Sequence, residues 1–338
     1  MKEKKYLDLS GFSFTGKSAY NNVFAEFSGF DAHAFDVEFD LVRTKDGILD
    51  LHTALIENWS PVRSSEAIRA FGSVIDAYRG DGSFIQRLTK IGRRYDQRFP
   101  GFFDESNAYV NDLIDASWVG EWPFAFERFG RVEVSFRKIL FSLGLKRAFE
   151  AKVFLSAPSE EYFISRTKAY LNAILTAEVP SDCNTVVMNN VLEPFNPLPS
   201  MRFFSNIKSI VIDRDPRDIY LAAWDYTNKD GSKGWRATLG NDVEDFVQRF
   251  KAYRKHVSED TNPDLLRVSF EDLVINYEDT LQKLYAFLNV DASIHEQKGR
   301  CFVPEVSSRG VGLWKKNERK EDIVYIYEQL HDYCKYFD

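Results

Sequence analysis

Eight consecutive residues, Gly11-Phe12-Ser13-Phe14-Thr15-Gly16-Lys17-Ser18, satisfy the pattern GxxxxGK[ST]. Small residues in such a loop let backbone N–H groups wrap a phosphate, a helix that follows adds the positive end of its dipole, and Lys17 supplies a point charge. The plainer alternative is a glycine-rich turn with an exposed lysine. Ser18 would ligand Mg²⁺ if the phosphate belonged to a nucleoside triphosphate, and would otherwise hydrogen-bond a phosphate directly. A second charged group, Arg214-Asp215-Pro216-Arg217-Asp218, follows the apolar run Ile207–Asp213. Asp213, at the end of that run, is where a nucleoside triphosphatase would hold its metal.

These residues need a scaffold that brings them to one edge. Lys5–Leu9 reads as a short strand, and the stretch from Gly16 to Phe27 has helical spacing with Ala19, Val23 and Phe27 on one side. Ile207–Asp213 is a continuous β-branched run of the kind buried in a parallel sheet, followed by the helical segment Ile219–Asp225. Thr185–Met188 and Leu265–Ser269 read as two further strands, the first closed by EPFNPLP, the second leading through FEDLV to a helix over Tyr277–Leu288. The order predicts an α/β fold: a P-loop-like parallel sheet flanked by helices, in a single domain over 1–338. Residues from about 44 to 177 are mostly helical in pattern, rich in aromatics and interrupted at Pro61, Pro100-Gly101 and Pro123. They read as a large helical insertion covering the carboxyl edge of the sheet, where open α/β sheets bind ligands, and so as the acceptor wall. Within it Trp118–Phe129 is read first as core and second as a stacking surface for sugar rings or an aromatic acceptor. KKNERKED reads as a solvated helix start, and IVYIYEQLHDYCKYF as a helix packed back on the domain.

Composition fits this picture. A chain of 338 residues with 44% hydrophobic and 28% charged residues is globular and large enough to need no staples. Three widely spaced cysteines, Cys183, Cys301 and Cys334, give neither a disulfide framework nor a structural zinc site and favour a reducing compartment. With no signal-peptide core and no run of 18 apolar residues, the expectation is a cytoplasmic protein without a membrane span. A net charge of −7 without a Lys/Arg block makes nucleic acid a poor partner, so any anionic nucleotide must be drawn in by a few placed cations.

With the phosphate loop at Gly11–Ser18, the sequence resembles the sulfotransferases that use 3′-phosphoadenosine 5′-phosphosulfate (PAPS), whose second signature is a strand followed by R-x-P-[KR]-D and a helix. Arg214–Asp218 matches it; Val268–Val274 (VSFEDLV) with the helix YEDTLQKLYAFLNV and Arg309–Lys315 (RGVGLWK) match a third and a fourth element, all in the family's order. The resemblance implies that Ser13, Phe14, Thr15, Gly16, Lys17 and Ser18 hold the 5′-phosphosulfate, with Lys17 neutralising the bridging oxygen as the sulfuryl group leaves. It gives the 3′-phosphate to Arg214, whose guanidinium fork suits a phosphate dianion, and to Arg309 with the backbone of Gly310. It requires no metal. In the branch of the family that uses a carboxylate as general base, that Glu follows the loop by one helix and a short strand, which selects Glu38 in AHAFDVEFDLVR. Asp36 and Asp40 are neighbouring candidates, and His33 and His52 are the imidazole alternatives. The implied reaction is sulfuryl transfer to a hydroxyl of a glycan or small acceptor, with a bacterial surface glycan or its lipid-linked precursor preferred and peripheral association with such a lipid compatible.

Three departures stand out. The loop carries its cation at Lys17 instead of before the Ser-Gly that many members have. The family's serine eight residues after the signature arginine is Ala222, so that one 3′-phosphate hydrogen bond is either missing or supplied elsewhere, with Ser307 and Ser308 as the candidates. Asn189-Asn190 stands where relatives often place a lysine, and an Asn donates a hydrogen bond there but no charge. The rivals are a P-loop kinase or NTPase, resting on GFSFTGKS and Asp213, and a non-catalytic nucleotide-binding protein, resting on Ala222 and Asn190.

Overall fold

The computed structural model describes residues 4–32, 37–80, 94–122, 124, 130–145, 150–230, 239–257 and 262–335. Seven strands run β1 Lys5–Gly11, β2 Phe30–Asp31, β3 Ala116–Glu121, β4 Glu150–Leu155, β5 Thr185–Asn189, β6 Ile207–Asp213 and β7 Leu265–Ser269. The principal helices are α1 Lys17–Phe24, α2 Pro61–Arg79, α3 Phe102–Leu113, α4 Arg131–Ser142, α5 Glu160–Leu175, α6 Pro216–Asp230, α7 Val243–Arg254, α8 Phe270–Ile275, α9 Tyr277–Leu288 and α10 Lys320–Leu330.

Two compact units emerge, one formed by Met1–Asp40 with Val179–Asp338 and the other by Leu41–Glu178. The first holds a five-stranded sheet in the order β2-β5-β1-β6-β7, in which every pairing is parallel. Parallel strands covered by helices are buried on both faces, and β5 and β6 are accordingly almost continuous apolar runs. Leu7, Leu9, Val187, Ile210 and Ile212 of the sheet pack with Tyr20, Val23 and Phe24 of α1 and with Leu273, Leu281 and Leu284 of α8 and α9. A second cluster joins Ile219 and Tyr220 of α6 and Phe246 and Phe250 of α7 to Ile323, Ile326 and Leu330, so the closing helix does pack back on this unit.

Register decides what meets at the carboxyl edge. Leu9 pairs with Asn189, Gly11 with Ile212, and Asp213 with Ser269. The phosphate loop after β1, Asn190 after β5, Arg214 after β6 and Phe270 after β7 therefore leave the sheet side by side, although β1 and β6 are far apart in the chain.

The second unit is mostly helical around an aromatic core: Tyr109 and Tyr170 stack at 4.5 Å, with their hydroxyls bonded to Thr167 and Ser106. It also contains a hairpin absent from the sequence reading, β3 paired antiparallel with β4. On it Trp118 is 50% and Val119 66% exposed. The preferred reading of this stretch as core is thereby corrected: Trp118 and Val119 point to opposite faces of the ribbon, and β3 is exposed along nearly its whole length on both. Residues 123 and 125–129 of the same stretch lie outside the described residues. Among the described residues, no helix is long and apolar enough to cross a membrane.

Candidate active site

The phosphate loop is shaped by two glycines at which a Cβ would collide with its surroundings. A Cβ on Gly11 would lie 2.6 Å from both the Ile212 carbonyl oxygen and Thr15 Oγ1. Gly16 is left-handed, with φ +89°, and a Cβ there would come within 2.3 Å of the Phe270 ring. Phe14 is also left-handed, at φ +65°. Thr15 Oγ1 donates to the Phe12 carbonyl at 2.8 Å and closes the turn. Helix α1 then starts at Lys17 with no side chain capping it, which leaves its first N–H groups and positive dipole end available to an anion. Ser13 is half-buried and Ser18 exposed at this helix start.

Lys17 turns back across the loop. Its Nζ donates to the Gly11 carbonyl at 3.1 Å and lies 3.7 Å from Glu38 Oε1. Glu38 reaches this position because its backbone pairs in parallel with Asn189 beyond the short β2. Asn190, left-handed at φ +51° and buried, joins the two: Gly11 N–H donates to its Oδ1 at 3.0 Å, and its Nδ2 donates to Glu38 Oε1 at 2.7 Å. Behind it, Asp8 is fully buried in β1 and accepts from Val191 N, Ser10 Oγ and Ser209 Oγ. Burial pushes its carboxyl up to about 6 against those hydrogen bonds.

Arg214 stands on the other side of the loop. Its Nη1 donates to the Phe14 carbonyl at 2.7 Å and its Nη2 to the Gly310 carbonyl, so one guanidinium spans the phosphate loop and the C-terminal loop. The group lies 5.0 Å from the centre of the Phe270 ring, the ring that also abuts Gly16 and Gly310. Its Nε is buried without a hydrogen-bond partner among the described residues, a cost in free energy unless an acceptor comes to it. Burial lowers its pKa, with Asp218, Glu271 and Asp215 opposing.

The rest of the Arg214–Asp218 signature holds this arrangement together. Arg217 donates through Nε and Nη2 to Asp215, at 3.0 and 2.6 Å, and its guanidinium covers Trp314 at 3.8 Å. Asp218 accepts from Gly312 N at 2.7 Å and Trp314 N at 3.4 Å, fixing the C-terminal loop. Glu271 accepts from Asp215 N. Burial raises the Asp218 carboxyl to about 6 and the Glu271 carboxyl to about 7. The sequence marked Arg214 alone as functional; the visible signal for the others was four charged residues directly after a buried strand.

The remaining candidates scatter. Arg309 is exposed in the turn Ser308–Gly310, so only its backbone neighbour Gly310 meets Arg214. Ser308 bonds Glu305 O. Asp40 is buried at the start of a 3₁₀ turn. His52 belongs to the second unit, buried between Glu57 and Glu160 at 3.4 and 3.7 Å and edge-on to Phe163. His33 and Asp36 lie outside the described residues. Asp213 accepts from Arg254 Nη2 at 2.6 Å and from Arg214 N at 2.9 Å.

Comparison with known proteins adds the family. Residues 146–293 match the model of the sulfotransferase family, a span that includes Arg214 and the β7–α9 element. No curated protein matches the chain. Among solved structures, the chain is similar to the sulfotransferase domain from the curacin biosynthetic pathway (12% identity, 98% of this chain and 99% of that one, TM-score 0.40). It is also similar to the sulfotransferase domain of the Synechococcus PCC 7002 olefin synthase (12%, 97% and 95%, TM-score 0.38). A third is retinol dehydratase in complex with androsterone and the inactive cofactor PAP (12%, 100% and 83%, TM-score 0.36). The residue assignments rest on this chain's own geometry. The family match thus runs from β4 to α9, and over that span, which carries Arg214 beside the phosphate loop at one sheet edge, the chain is similar to the sulfotransferase family.

Proposed function

We propose that the chain transfers the sulfuryl group of PAPS to a hydroxyl of a carbohydrate acceptor, with Lys17, Glu38, Arg214 and the loop Ser13–Ser18 as its working residues. The observation that carries this is the Arg214 guanidinium bridging Phe14 O and Gly310 O, beside a loop whose helix start is uncapped. Two anion-binding positions, one from backbone amides with Lys17 and one from Arg214 with the Ser308–Gly310 turn, suit a nucleotide with phosphate at both its 5′ and 3′ positions. Arg309, exposed beside Gly310, supplies a second cation to the 3′-phosphate, and Ser18 a hydroxyl to the 5′ side.

Glu38 takes the acceptor proton as the acceptor oxygen attacks sulfur and the bond from sulfur to the bridging phosphate oxygen breaks. Lys17 and the loop amides stabilise the charge left on adenosine 3′,5′-bisphosphate (PAP). The carboxylate base supports a sugar acceptor.

A kinase reading needs Asp213 for a metal, and that carboxylate is already ion-paired with Arg254, which favours sulfuryl transfer. A thermal-shift screen separates the two: stabilisation by PAP without Mg²⁺ is expected. Stabilisation by ATP only, and only with Mg²⁺, would sink the proposal. Transfer of labelled sulfate from PAPS to a panel of p-nitrophenyl glycosides tests the acceptor class, and transfer to simple phenols alone would refute a carbohydrate.

A further inference from the structure

Asn190 has no counterpart role in the reaction as set out above, yet it is the side chain through which the phosphate loop and the carboxylate are connected. Its two hydrogen bonds use opposite ends of one amide. Gly11 N–H can only donate, so it requires Oδ1, and this fixes the Nδ2 donor on Glu38 Oε1. The side chain is 5% exposed, and its backbone is pinned as firmly: Asn190 N donates to Leu9 O at 3.1 Å, and the next N–H, from Val191, goes to buried Asp8 at 2.9 Å. The left-handed φ of +51° turns the chain sharply at the end of β5 and is tolerated by Asn better than by most residues.

We propose that Asn190 is a positioning residue for the reaction: it holds the Glu38 carboxylate at a set place relative to Lys17 and the phosphate loop, so that loop and base move as one body. This rests on the reading of Glu38 as base. A lysine here would add charge to the departing group; an Asn adds none and instead orders the groups that act, which is the entropic share of catalysis.

Asn190→Asp is the incisive variant. It keeps an oxygen for Gly11 N–H and the left-handed backbone but faces Glu38 with an acceptor instead of a donor. Asn190→Gly, unstrained at this φ, serves if the first variant does not fold. Turnover is read as PAP released from PAPS, with the p-nitrophenyl glycosides and as hydrolysis. The expectation is a fall in kcat of about tenfold or more, with PAP affinity and the KM for PAPS within about threefold of the parent. Added to Glu38→Gln, Asn190→Asp should cost less than about twofold more, because the group it positions is already gone. Parent-like turnover in Asn190→Asp while Glu38→Gln is inactive would overturn the proposal and leave the base standing. Full activity in Glu38→Gln would remove both. Losses that add in the double variant, with PAP affinity falling in step, would make Asn190 a structural residue only.

Discussion

Gly16→Ala is the sharpest probe of the phosphate loop, because two separate costs can be read from its surroundings. The first is conformational: at φ +89° a residue with a Cβ pays about 1–2 kcal/mol for the left-handed backbone. The second is steric. The new methyl would stand 2.3 Å from Cδ2 and 2.8 Å from Cγ of Phe270, so the ring must shift by about 1 Å to reach ordinary contact. Phe270 is buried in the main core with Tyr20 and Leu273 as fellow members, and overpacking such a site costs about 1–3 kcal/mol. Together the loss is about 2–5 kcal/mol, measurable by urea denaturation and within what a folded chain of this size survives. The two parts separate on a second background: Phe270→Ala removes the Cγ and Cδ2 atoms that the methyl would strike and leaves the φ untouched. Gly16→Ala in that background should cost only about 1–2 kcal/mol. A loss below about 0.5 kcal/mol for Gly16→Ala in the parent, or an unchanged loss in the Phe270→Ala background, would refute the steric reasoning.

Three further outcomes follow from the same geometry. Asp218→Ala removes the acceptor of Gly312 N and Trp314 N. PAP affinity by calorimetry should fall about tenfold or more, while far-UV dichroism stays that of the parent, and unchanged affinity would detach the C-terminal loop from the site. Asp8 and Asp218, at about 6, and Glu271, at about 7, are all raised by burial. The folded chain thus holds protons that the unfolded chain has released; the stability they contribute is complete below about pH 4 and is lost as pH rises through 6 to 7. The urea midpoint should therefore fall between pH 5 and pH 7.5, less steeply in Asp8→Asn, and a midpoint rising over that interval would contradict the assignment. Glu26→Ala deprives Cys301 N, Phe302 N and His295 Nε2 of a buried acceptor at 2.6 to 2.7 Å; about 3–5 kcal/mol should be lost in denaturation, against less than about 1 if the network is idle.

What could be read from the residues was set by how local its cause is. β6 and β7 were legible to the residue because a run of β-branched and apolar side chains is a local property, and Gly11 and Gly16 announced the loop by spacing alone. Arg214 was legible through its place after β6. The β3–β4 hairpin was not: its partner strands lie about thirty residues apart, and Trp118-Val119 shows no clean alternation against a buried face. Neither was Asn190, whose importance comes from a left-handed turn and a hydrogen bond to Glu38 across about 150 positions. The exposed Arg309 side chain and His52, buried among residues of the second unit, show the limit from the other direction, since the type of a residue does not fix where it points.

The order of strands across the sheet also sets a timetable for synthesis. β1 is made before both of its neighbours, β5 and β6, which are encoded about 170 or more residues later. At about 5–20 residues per second the nascent strand waits on the order of ten to thirty seconds for a partner. Leu41–Glu178, a compact unit by itself, is complete before that partner emerges. The central strand of this sheet thus waits longest for a partner, and the phosphate loop it carries comes into existence only when β5 and β6 arrive to flank it.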